Sequence, residues 1–96
     1  MTEYTPEQLS VKRRKLSLEY SAKMKELAEI KKEKAMLIIK LIAEHNSVAK
    51  AERYFSATDL GQKEIELEYY CRGLIETMRA VKTEIDMKHA ESFGQY

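Results

Sequence analysis

Four consecutive cations, Lys12, Arg13, Arg14 and Lys15, are the residues of this chain with the plainest chemistry to offer. Lysine and arginine neutralise phosphate, and a helix carrying them contacts a nucleic-acid backbone without reading its sequence. Lys23, Lys25, Lys31, Lys32 and Lys34 bring the basic residues of the first 34 to nine, against six acidic ones. The local excess is therefore modest. Four successive helical residues also spread over about 300° of the circumference, so they form no single stripe. The plain alternative is a solvated helix with internal charge pairs such as Glu19 with Lys23 and Glu29 with Lys25. Apart from Tyr20, the stretch lacks the aromatic residues on which single-stranded bases stack.

A second group is aromatic. Tyr54, Phe55, Tyr69 and Tyr70 fall close to one expected turn. Tyrosine serves equally as a core pin or as a recognition residue. Tyr69 and Tyr70 lie about 100° apart on a helix, so at most one faces a core. Asn46, Arg53 and Arg72 are further polar candidates there.

Other chemistries find little. His45 and His89 are isolated, and "AEHNS" lacks the second histidine of a helical zinc site. Cys71 is the single cysteine. It falls on an apolar face, where a buried, unreactive thiol is the ordinary case. Three glycines in the whole chain leave no phosphate-cradling loop. Carboxylate pairs are commonplace among sixteen acidic residues and single out no acid–base dyad. The expectation is a protein that is not an enzyme, with no cofactor and no metal.

Composition bounds the rest. Ninety-six residues suit one domain, residues 1–96, and the +1 net charge gives no global pull toward nucleic acid. The longest strongly apolar run, "AMLII", falls far short of the ~20 residues of a membrane span. "MTEYTPEQ" has no signal-like apolar core, so a cytoplasmic location and no membrane partner are expected.

The elements that must position these residues are helices. Thr5 and Gln8 form a capping box around Pro6, with Tyr4 and Leu9 spaced as a hydrophobic staple. From there Leu9, Leu16, Tyr20, Met24 and Leu27 share one face. The stripe weakens at "KKEK" and resumes at Ile38, Leu41 and Ile42. A helix over about 5–54 is expected, with a bend near 31–34 or at "HNS" as the alternative. "FSATDLG" supplies a turn over about 55–60, with Ser56–Asp59 or Asp59–Gln62 as capping boxes. A second helix over about 61–91 follows, then a frayed tail, 92–96. Its Leu67, Cys71, Leu74, Met78, Val81 and Ile85 alternate by four and three, a heptad pattern.

The sequence thus predicts an all-α, long antiparallel helical hairpin with a coiled-coil-like seam formed by Ile38, Leu41 and the second-helix residues. Its arms are expected to be unequal, about 70 Å against about 50 Å at 1.5 Å per residue. Folded back, the second helix would stop near Lys25. The amphipathic arm carrying Leu9, Leu16, Tyr20, Met24 and Leu27 would then need a cover, supplied by dimerisation into a helical bundle or by another protein. In outline such a hairpin resembles the small WXG proteins. The chain lacks that family's Trp-x-Gly turn, and Tyr69 and Tyr70 are followed four positions on by Gly73 and Leu74 rather than by an acid. No function carries over.

The function expected is a non-catalytic interaction module: an oligomeric adaptor, assembly factor or small inhibitor, of the kind found among phage or mobile-element accessory proteins. The alternative is nucleic-acid binding through Lys12, Arg13, Arg14 and Lys15.

Overall fold

The computed structural model describes residues 5–93, and the side chains of 5–90. It is all-α, with α1 over Pro6–His45, α2 over Val48–Ser56 and α3 over Asp59–Phe93. Tyr4 of the expected staple and residues 94–96 of the expected tail lie outside the described residues.

α1 begins as its capping box requires. The Gln8 amide donates to Thr5 Oγ1 at 3.2 Å, and the Thr5 amide donates to Gln8 Oε1 at 2.9 Å. Two otherwise unpaired donors are thereby satisfied.

The helix expected to continue to about Tyr54 instead ends at His45, so the break falls at "HNS", the alternative position, and not at 31–34. Asn46 takes a left-handed backbone, φ 56°, and its amide donates to the Ile42 carbonyl at 2.7 Å. Asparagine tolerates this conformation better than other residues with a Cβ, and it closes the helix as a C-terminal cap. Ser47 then caps α2, accepting from the Lys50 amide at 3.3 Å. Two adjacent residues with opposite capping habits therefore outweigh nine residues of helical propensity.

The turn after α2 is closed by Thr58, not by Ser56 or Asp59. Thr58 Oγ1 donates to the Phe55 carbonyl at 2.6 Å and accepts from the Gly61 amide at 3.0 Å. Gln62 Nε2 bonds back to the Ser56 carbonyl at 2.8 Å. Gly61 is buried here. A Cβ on it would overlap the Phe55 carbonyl oxygen and come within 2.8 Å of Ser56 Cα. Its small size allows the end of α2 to lie against the start of α3.

The chain divides into two compact units, residues 1–22 with 72–96, and residues 23–71. In the second unit, α1 and α3 run antiparallel: Lys31 pairs with Glu68 at 3.5 Å and Lys34 with Glu64 at 3.2 Å. Leu27, Ile30 and Leu67 form a buried cluster with Leu60 against it, and α2 buries Ala51 and Phe55. In the first unit, Leu9 on α1 and Leu74 and Val81 on α3 are buried. Leu16, Tyr20, Met78 and Ile85 are half-buried there.

Two expectations are corrected by these facts. The arms are nearly equal, 40 residues in α1 and 35 in α3, because α2 takes nine residues out of the first arm. The start of α1 is also not left for a partner to cover, since the C-terminal part of α3 belongs to the same compact unit and Leu9 is wholly buried.

Candidate functional site

α1 carries the apolar seam at spacings of three and four, and each seam residue fixes where its neighbours point. Leu27 and Ile30 face inward, and Ile38, Leu41 and Ile42 are half-buried. Each residue advances the helix by about 100°, so "AMLII" cannot send all its side chains to one side. Met36 and Ile39 are turned to solvent, 69% and 70% exposed, three residues apart on the same outer face. Lys32 and Ala43 continue that face by their spacing and are exposed too. The sequence reading missed this pair because it followed the inward stripe alone. The signal was an apolar run too dense for a single face.

The inner side of the second unit is polar where the stripe weakened. A groove of about 360 Å³ is lined by Lys31, Lys34, Ala35, Ile38, Glu52, Glu64 and Glu68. Glu64 is buried, and its carboxylate accepts from Lys34 Nζ. The same ammonium lies 5.3 Å from the centre of the Phe55 ring. Lys31 and Lys34 of "KKEK" are therefore partners of Glu68 and Glu64 of "EIELE" across the seam. Their chemistry is spent on each other, which makes this a structural polar cluster.

The aromatic residues expected near the turn, as core pins or as recognition residues, divide between roles. Phe55 is buried. Tyr54 stacks on His45, ring centres 4.2 Å apart and planes within 12°, joining the end of α1 to α2. Tyr70 lies under the Lys23 ammonium at 5.6 Å. Tyr69 is the most exposed of the large hydrophobic side chains described, at 77%, and Ile65, one turn before it, is exposed as well.

In the first unit, Lys12, Arg13, Arg14 and Lys15 are all exposed, beside exposed Val11 and Leu18. Glu7, Gln8, Val11, Lys12 and Lys15 line a shallow depression there. Of the residues expected at a partner interface, Leu9 and Leu27 are buried within the chain, Leu16 and Tyr20 are half-buried, and Met24 is exposed. On α3, Leu67, Cys71, Leu74 and Val81 are buried, and Met78 and Ile85 half-buried.

Among the described residues no group of histidine, cysteine and carboxylate side chains is arranged to hold a metal ion. No helix there is long and apolar enough to cross a membrane. Comparison of the chain with protein families, with curated proteins and with solved structures finds no match in any of the three.

Proposed function

We propose that this protein is a protein–protein interaction module whose working surface is the outer face of α1 around Met36 and Ile39. One observation carries the reading: two large apolar side chains, one helical turn apart, are each more than two-thirds exposed, whereas Leu27 and Ile30 are buried and Ile38, Leu41 and Ile42 half-buried on the inner side of the same stretch of α1. Scattered exposed apolar residues are ordinary, but a flanked pair on one helix face is the anchor pattern of helix-mediated recognition. The test is affinity capture from a lysate with the wild-type chain and with a Met36→Asp/Ile39→Asp variant. Specific capture that the variant loses supports the reading. Capture that the variant retains overturns it for this face.

A second reading is nucleic-acid binding by the first unit. It is supported by the exposure of Lys12, Arg13, Arg14 and Lys15 on one helical turn. It predicts binding that weakens steeply with salt and is lost on Arg13→Glu/Arg14→Glu. Duplex binding indifferent to that double reversal removes this reading.

A further inference from the structure

The Met36–Ile39 face carries its own complement. Residues 29, 32, 36, 39 and 43 alternate by three and four along the outside of α1, a spacing that lines one helix–helix contact. Glu33 and Lys40 flank the same edge of that stripe, one on either side of its centre, and both are exposed. Neither has an ion-pair partner within the described residues.

Two-fold symmetry turns such an edge onto itself. In an isologous contact, residue i of one copy meets residue j of the other, and j meets i. With two α1 helices antiparallel and the axis passing between Met36 and Ile39, each Met36 meets the other copy's Ile39. Lys32 meets Ala43, so its aliphatic stem covers a small residue while the ammonium reaches water. On the flanking edge Glu33 meets Lys40, and Lys40 meets Glu33. One face thus supplies both halves of an apolar layer and both halves of two ion pairs.

We infer that the occupant of the Met36–Ile39 face is a second copy of this chain, docked antiparallel, with Glu33 and Lys40 setting the register. The inference rests on the interaction-module reading and names its partner. It also replaces the arm formed by Leu9, Leu16, Tyr20, Met24 and Leu27 as the surface of self-association. The apolar layer supplies the attraction, and the charge pairs choose the antiparallel arrangement over the parallel one.

The experiment is sedimentation equilibrium of the full chain over a concentration series, with helical circular dichroism confirming that each variant is folded. The wild type is expected to dimerise reversibly. Ile39→Asp is expected to weaken the dimer by more than about tenfold, since it places a charge in the apolar layer. Lys40→Glu sets Glu33 against a carboxylate twice over, and Glu33→Lys sets Lys40 against an ammonium twice over. Each is expected to weaken the dimer by about fivefold to tenfold at low salt. The Glu33→Lys/Lys40→Glu double variant is expected to recover it, and the two single variants mixed together are expected to form a heterodimer. That reciprocal recovery is specific to this register.

A dimer indifferent to all these changes overturns the inference, because self-association would then use another face. A chain monomeric at every concentration overturns it as well. If that monomer still captures another protein through Met36 and Ile39, the interaction-module reading stands with a different partner. If it captures nothing, both fall.

Discussion

Lys34 and Glu64 meet at 3.2 Å across α1 and α3, and the Lys34 ammonium is 5.3 Å from the centre of the Phe55 ring on α2. One cation thus ties three helices of the second unit together. Glu64 is the buried member, with a side chain 10% exposed against 33% for Lys34. The asymmetry decides what each substitution does, because a buried carboxylate left alone carries its full desolvation cost while a lysine left alone turns toward water.

Lys34→Ala is accordingly expected to destabilise the fold by about 2 kcal/mol. This lies below the roughly 3–5 kcal/mol of a fully buried pair, because water still reaches Lys34. Glu64→Gln should cost less, since an amide needs less solvation than a carboxylate. Lys34→Met combined with Glu64→Leu is expected to come near the wild type. Urea denaturation of Lys34→Met, Glu64→Leu and the double variant closes the cycle. Additive effects would show that the pair is not coupled.

That pair also shows what the sequence could disclose. The lysines of "KKEK" were legible as a polar interruption of the α1 stripe, whereas nothing marked the acids of "EIELE" as their partners. Assigning one to the other needed the register, and the register depended on where α1 stops. Nothing in helical propensity stops it at His45. Asn46 and Ser47 do so jointly, and Lys50 stands where the acid of a capping box would have announced the new helix. Preferring the continuous helix to a bend at "HNS" lengthened the first arm, which made Leu9, Leu16 and Tyr20 look unpartnered. The α3 heptad residues were legible because alternation by four and three implies burial whatever the partner. Met36 and Ile39 were hidden for the opposite reason: an inward stripe says nothing about an apolar residue that leaves it.

The two helical glycines of α3 are expected to respond oppositely to alanine. At Gly61 the new Cβ meets the backbone of Phe55 and Ser56, which cannot move aside as a side chain can. Gly61→Ala should cost about 3 kcal/mol or more and loosen the α2–α3 turn. At Gly73 nothing lies within 4 Å of the added atom, and no glycine described has a positive φ. Gly73→Ala should stabilise by up to about 1 kcal/mol through helix propensity alone. Thermal unfolding of both variants checks the pair of signs.

Leu9 separates an internal core from an oligomer interface. It is wholly buried within the described chain, whereas Leu18 on the same helix is exposed. Leu9→Ala is expected to cost about 2–4 kcal/mol, and Leu18→Ala well under 1 kcal/mol. The loss at Leu9 should be the same at low and high protein concentration, because the cover comes from within the same chain. A loss that shrinks as concentration rises would return Leu9 to a partner interface.

The α1–α2 corner makes the last prediction. Asn46 holds φ 56°, and the Ser47 hydroxyl caps the next helix. Asn46→Gly keeps the left-handed backbone without a Cβ and is expected to change stability little. Asn46→Val forces a β-branched residue into that region and should cost about 1–3 kcal/mol. Ser47→Ala removes the cap alone, at about 1 kcal/mol. Asn46→Val combined with Ser47→Ala takes away both reasons for the chain to turn. The continuous helix to Tyr54 then becomes the competing state, and the His45–Tyr54 stack cannot survive in it, because nine helical positions would carry the two rings about 13 Å apart along the axis. Proton NMR of the Tyr54 ring reads this directly. Loss of the ring-current shift from His45, with helical circular dichroism maintained or increased, is the expected result. Retention of the stack in the double variant would mean that the packing of Ala51 and Phe55 holds α2 in place without the corner.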